Sequence, residues 1–164
     1  MNLILQLIFD IVIQKPIFEI KNLDNNTIEA EEVDYLYIQQ SQIENSGNGL
    51  FTAIDIYKDE IISIFKGEIL TDKEAKNRAN NGKDGYFMNL LNGKILDCNN
   101  VTCFAKYAND ASGFSKSNFK NKAKITLDEN GNVCLMATQK IKSGEEIFCD
   151  YGKNYWKKHT KPND

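Results

Sequence analysis

Tyr151 stands near the end of Gly144-Glu145-Glu146-Ile147-Phe148-Cys149-Asp150-Tyr151-Gly152, a segment followed closely by Tyr155 and Trp156. A phenol so placed can orient a nucleophile, or it can be a buried ring with a satisfied hydroxyl. Gly47-Asn48-Gly49 would let backbone groups approach a ligand closely. It lacks the third glycine and the strand–helix setting of a dinucleotide fingerprint, so alone it reads as a tight turn. Cys98, Cys103, Cys134 and Cys149 include no C-x-x-C pair, and the single histidine, His159, lies among Lys157, Lys158 and Lys161. A four-ligand zinc site and a redox dithiol are poorly supported, and the thiols read as reduced and mostly buried in an intracellular protein. A Ser-His-Asp triad would need His159, which sits in a polar tail. No P-loop and no H-E-x-x-H occurs.

These groups need a scaffold, and 164 residues suffice for one domain with its own core. The chain is 41% apolar, with nine Phe and seven Tyr, which excludes a disordered protein. An isoelectric point near 5.3 argues against a strongly basic nucleic-acid binder. The run Lys116, Lys120, Lys122, Lys124 reads as a solvated face. Charge is nonetheless uneven: residues 1–60 are net −8 and residues 61–164 net +5. Residues 1–13 are apolar except for Asn2, Gln6 and Asp10, with no basic leader or cleavage signal. They are shorter than the roughly 20 residues a membrane span takes, and read as a buried element or a partner-docking segment, helix or strand. Residues 1–34 form an N-terminal appendage ending in an acidic link, 35–156 the main body, and 157–164 a polar tail.

From Tyr35 onward the pattern is one of short strands. Residues 35–38 read as one, and 50–56 and 61–65 as a pair across Lys58-Asp59. Thr71 and Glu74 form a capping box, which predicts a helix to about Asn80 ending at Gly82. Asn92-Gly93 predicts a two-residue type I′ hairpin between 86–91 and 94–97. A second hairpin is expected between 123–127 and 133–137. The fold class is mostly β or α+β, with one short helix.

Four segments in a fixed order carry a resemblance. They are Ser46-Gly47-Asn48-Gly49-Leu50-Phe51, Phe65-Lys66-Gly67-Glu68, Lys106-Tyr107-Ala108-Asn109-Asp110, and Gly144 to Gly152 with its aromatic pair. Together they resemble the SET-domain protein-lysine methyltransferases over residues 35–156. The resemblance implies small curved sheets around a knot-like crossing, where the segment near Asn109 is threaded against the one bearing Tyr151. It also implies S-adenosylmethionine as methyl donor and a protein or peptide lysine as acceptor, a histone tail among the candidates; the cysteine cluster that binds zinc in some relatives is absent after Gly152, so no metal is expected, and no membrane.

The same resemblance assigns roles. Tyr151 matches the catalytic tyrosine. Ser46, Gly47, Asn48, Gly49, Tyr86, Asn109, Asp110, Tyr151 and Trp156 are expected around the donor, and Phe65, Tyr107 and Cys149 along the lysine channel. Tyr155 and Trp156 should fold back over the donor or the channel mouth. Three positions depart from the family pattern. Asp110 replaces its histidine, leaving only backbone contacts to survive there, and Asn118 is the candidate for an asparagine further on. Phe65 replaces a tyrosine. Cys149 occupies the Phe/Tyr position that governs how many methyl groups are accepted. These departures keep two alternatives open: a binding module that kept the fold and lost activity, and an enzyme acting on a non-histone lysine.

Overall fold

Backbone pairing starts well before the first expected strand. The computed structural model describes residues 26–90, 92–112 and 117–159, without the side chains of Asn154, Lys158 and His159. The apolar segment 1–13, Lys116 of the basic run and residues 160–164 of the tail lie outside the described residues. Asn26 accepts the Ile61 amide at 2.6 Å, and Glu32 in the one-turn helix α1 (Glu32–Tyr35) accepts the Ile64 amide at 3.1 Å. The end of the acidic stretch is thus seated on the segment Ile61–Ile64.

Strand β1 (Leu36–Gln40) pairs antiparallel with β2 (Asn48–Thr52). β3 (Ile61–Ile64) is followed by β4 (Glu68–Leu70) and helix α2 (Asp72–Asn80). The helix opens on the expected capping box: Thr71 accepts the Glu74 amide and Glu74 reaches back to Thr71. β5 (Phe87–Asn89) and β6 (Ile95–Asp97) form the next hairpin, then a 3₁₀ turn spans Ala105–Tyr107. β7 (Ala123–Leu127) and β8 (Val133–Ala137) have the bounds the sequence predicts. The short β9 (Cys149–Asp150) leads into helix α3 (Lys153–His159). Three small sheets result, with strand orders β1-β2, β3-β8-β7-β9 and β4-β6-β5. Among the described residues no helix is long and apolar enough to cross a membrane.

Two local expectations are corrected. β2 does not pair with β3 across Lys58-Asp59; β2 takes β1, and β3 takes β8. Ile56 instead exchanges backbone hydrogen bonds with Ile141, which pulls the chain out of line with a hairpin. The β5–β6 hairpin exists, but it closes between Leu90 and Lys94, with Gly93 at φ 78°. Three residues lie between, so it is a longer loop with a left-handed glycine, not a two-residue turn.

The shared core joins all three sheets. Leu50, Ile56, Ile62, Leu135, Ile141 and Ile147 are fully buried, each contributing roughly 1.5–3 kcal/mol of transfer free energy. Arg78 on α2 bonds both Asp97, 1% exposed on β6, and Glu68 on β4, tying the helix to its sheet. Glu146 is also buried. It accepts the Ser41 hydroxyl at 2.7 Å, the Gln42 amide at 2.6 Å and the Asn109 amide at 3.4 Å. Gly49 packs directly on this carboxylate, and any Cβ there would overlap Glu146 Oε1.

Gly49→Ala is therefore expected to displace Glu146 from its three donors and to cost about 2 kcal/mol or more of unfolding free energy. Urea denaturation reads this directly. Because the two residues occupy one space, Gly49→Ala combined with Glu146→Ala should cost less than the sum of the single changes.

Candidate active site

The terminal strand lies between the two ends of a single loop. On one side Cys149 and Asp150 pair parallel with Ala123 and Lys124 of β7. On the other, the Cys149 amide donates to the Asn109 carbonyl at 2.9 Å, and the Tyr151 amide to Asp110 Oδ2 at 3.0 Å. Residues 149–151 are thus held by both 108–110 and 123–124, the threaded crossing that the resemblance implied.

A cavity of about 1160 Å³ opens beside this crossing. Its walls bring together Ser46, Gly47, Asn48, Phe65, Tyr86, Tyr107, Asn109, Cys149, Tyr151 and Trp156. All were singled out from the sequence. Gly49 is not among them, because it is set back against Glu146. Asp110 also lies behind the wall, 7% exposed.

Tyr151 donates its phenol proton to the Ala108 carbonyl at 2.9 Å, and the Cys149 thiol points to the same carbonyl at 3.4 Å. Burial pushes both groups well above their ordinary pKa, and the negative charge of Asp110 adds to the effect, so both stay protonated near neutrality. Tyr155 meets the Tyr151 ring edge-on at 4.7 Å, and Trp156 stacks on it at 5.9 Å. Helix α3 therefore packs the aromatic pair against Tyr151 on the cavity wall.

Asn109 donates its amide to the Asn48 carbonyl at 3.0 Å, which ties it to the glycine turn. Its Oδ1 accepts no hydrogen bond among the described residues. Asp110 behaves differently from the expectation of backbone contacts alone. Its carboxylate accepts from the Ser112 amide and hydroxyl, Asn121, Tyr151 and the Trp156 indole. Burial raises its pKa, but these hydrogen bonds outweigh burial and hold it below the ordinary value.

Three contributors were not legible beforehand. Asn121, not the exposed Asn118, is the asparagine that packs here; it also accepts the Ala111 amide at 2.8 Å. Lys106 gives its ammonium to the carbonyls of Cys98, Asn99 and Val101 at 2.9–3.1 Å. It lies 5.6 Å from the Tyr86 ring centroid and 5.4 Å from that of Tyr107, so one cation orders two cavity walls. Glu146 is the third. An acid beside Ile147 gives no sign of burial; only the repeated glycine of the 47–49 turn hints at a close neighbour.

Comparison with known proteins agrees with this geometry. The family profile described as SET domain matches residues 47–152. The chain is 26% identical over 140 residues to "Histone-lysine N-methyltransferase EZ1" of Zea mays, covering 80% of this chain and 15% of that protein. It is 28% identical over 129 residues to "Histone-lysine N-methyltransferase EZH2" of Chaetomium thermophilum, covering 71% and 8%. It is 28% identical over 130 residues to "Histone-lysine N-methyltransferase, H3 lysine-36 specific" of Eremothecium gossypii, covering 74% and 18%. The chain thus spans less than a fifth of the length of these relatives. The profile takes in the glycine turn, the Asn109 segment and the threaded Tyr151 strand together, and the chain belongs to the SET domain family.

Proposed function

We propose that this chain is a protein-lysine methyltransferase that takes its methyl group from S-adenosylmethionine, with 35–156 as its working unit. The acceptor is a lysine of a protein or peptide, and the names of the relatives favour a histone tail. One observation carries the reading: Tyr151, Asn109 and the Gly47 turn line one cavity beside the crossing, and Asn109 Oδ1 accepts no hydrogen bond among the described residues. The reduced, buried state of all four cysteines supports an intracellular setting.

The residues present fit the donor. Gly47 has φ 69°, and nothing lies within 4 Å of where its Cβ would be, leaving the turn open to a ligand. Asn109 Oδ1 can accept an ammonium, and the Asp110 N–H and C=O carry no hydrogen bond among the described residues. Tyr86 and Trp156 offer flat apolar faces for a purine. Ser46, Gly47, Asn48 and Asn109 would hold the amino-acid end, and Tyr86, the Asp110 backbone and Trp156 the base. When bound, S-adenosylmethionine supplies an electrophilic methyl group on a sulfonium centre.

Tyr151 does the positioning. Its proton is committed to Ala108, so its oxygen presents lone pairs to an amine N–H or a polarised C–H. A channel walled by Phe65, Tyr107 and Cys149 excludes water, which disfavours the charged ammonium and favours the neutral, nucleophilic amine. Asp110 and Glu146, behind the wall, are engaged by neighbouring donors; of the two carboxylates that line the cavity, Asp84 and Asp150, the latter accepts the Gly152 amide at 2.8 Å. In this reading deprotonation is left to solvent, before transfer, and alignment is what the protein contributes.

Removing the Asn109 side chain takes away an acceptor and unties the Asn48 turn. Asn109→Ala should weaken donor binding by about 1–3 kcal/mol, roughly 5- to 150-fold in Kd by calorimetry. Unchanged affinity in a folded variant would remove Asn109 from the site.

Tyr151→Phe keeps the ring and its stacking but deletes the oxygen. Turnover should fall about 100- to 1,000-fold while donor binding changes little. Radiolabel transfer to lysate proteins, with mass spectrometry of the modified lysines, supplies the assay and the acceptor. Donor binding without any transfer by the wild type would favour the inactive binding module that Phe65, Cys149 and Asp110 leave open.

Cys149 and Phe65 bear on the product. The thiol is turned to the Ala108 carbonyl and Phe65 has no hydroxyl, so neither offers a tyrosine's restraint on a methylated amine. Products beyond monomethyl-lysine are expected. Cys149→Tyr should shift the product towards monomethylation without abolishing the first transfer, as read by mass spectrometry of a substrate peptide. Monomethyl product alone from the wild type, at long times and saturating donor, would refute this.

A further inference from the structure

Among the described residues, every hydrogen-bond partner of the Asp110 carboxylate is a neutral donor. Oδ1 accepts the Ser112 amide at 2.8 Å, the Ser112 hydroxyl at 2.6 Å and Asn121 Nδ2 at 2.8 Å. Oδ2 accepts the Tyr151 amide at 3.0 Å and the Trp156 indole N–H at 2.8 Å. One oxygen is thus fixed by the loop that follows Asp110, and the other by the C-terminal arm, 41 and 46 residues further on.

Only an ionised carboxylate satisfies such a set, since it accepts on both sides and donates on neither. A carboxamide would set an N–H against an N–H whichever way it turned, and a neutral imidazole has a single acceptor. The arm needs such an anchor, because seven residues of helix are too short to persist alone in water. The ring contacts that Tyr155 and Trp156 make with Tyr151 are weakly directional.

We propose that the Asp110 carboxylate is the latch that seats helix α3, so that Trp156 closes the donor side of the cavity. Asp110 is a positioning residue acting through Trp156, and the substitution of aspartate for the family histidine has this purpose here. The proposal rests on the donor-site reading above for its consequence, but the latch itself exists without donor.

Trp156 is the only tryptophan of the chain, so its fluorescence reports the latch without interference. In the 164-residue chain without donor, Asp110→Asn is expected to shift the emission to the red and to raise the acrylamide quenching constant about twofold or more, as the arm opens locally. Unchanged emission and quenching in the folded variant would overturn the proposal. Should Asp110→Asn fail to fold, Trp156→Phe decides: it keeps a ring and deletes the N–H. Tryptic cleavage after Lys153 and Lys157 should then speed up about fivefold or more, and unchanged cleavage would overturn the latch. S-adenosylhomocysteine binding is read in parallel. In a folded latch variant, affinity about tenfold weaker, with the donor KM rising more than kcat falls, is the expected result, and unchanged affinity sinks the link to the donor. Absence of binding by the wild type itself would refute the donor-site reading, with the latch judged on fluorescence and proteolysis alone.

Discussion

Everything at the site depends on residues 149–151 being gripped from two sides. The parallel pairing with β7 gives the terminal strand its direction, and the bonds to Asn109 and Asp110 give it its depth. Side chains alternate along an extended segment, so a fixed register sends Cys149 and Tyr151 to one side, with Asp150 exposed on the other. The Ala108 carbonyl then collects both the phenol and the thiol. Remove either grip and the tyrosine loses its address.

Two buried carboxylates brace that crossing, and among the described residues the lone pairs of both are satisfied by neutral hydrogen-bond donors. Glu146 holds the β1–β2 connection and Asn109; Asp110 holds its own loop and the C-terminal arm. Burying an ionised group is costly unless its lone pairs are filled, so each acts as a demand for several donors at fixed positions. That demand converts a flexible loop and a short helix into defined walls. Lys106 is the counterpart of opposite sign, a cation saturated by three carbonyls and bordered by two aromatic rings.

The cavity wall combines a rigid backbone with an undemanding channel. Phe65, 8% exposed, and Cys149, 1% exposed, line it without offering a hydroxyl. In the proposed reaction, orientation would then fall to Tyr151 and to the backbone, apart from the residues that could limit repeated transfer.

The β7–β8 hairpin, the capped helix and the class of fold were all readable from the sequence, because each is set by neighbours in the chain. Asp128, Asn130, Gly131 and Asn132 make their turn among themselves, and Thr71 and Glu74 cap their own helix. Nine of the cavity-lining residues, from Ser46 to Trp156, were singled out too, through the order and spacing of four segments. What failed was non-local. Whether β2 pairs with β1 or β3 is a competition between partners that the local pattern treats alike. The roles of Asn121, Lys106 and Glu146, and the turning of the Asp110 carboxylate inwards, depend on residues from 5 to 105 positions away. A carboxylate reads as surface in any sequence. Only the crossing, by bringing unpaired N–H groups to it from four parts of the chain, makes burial the lower-energy state.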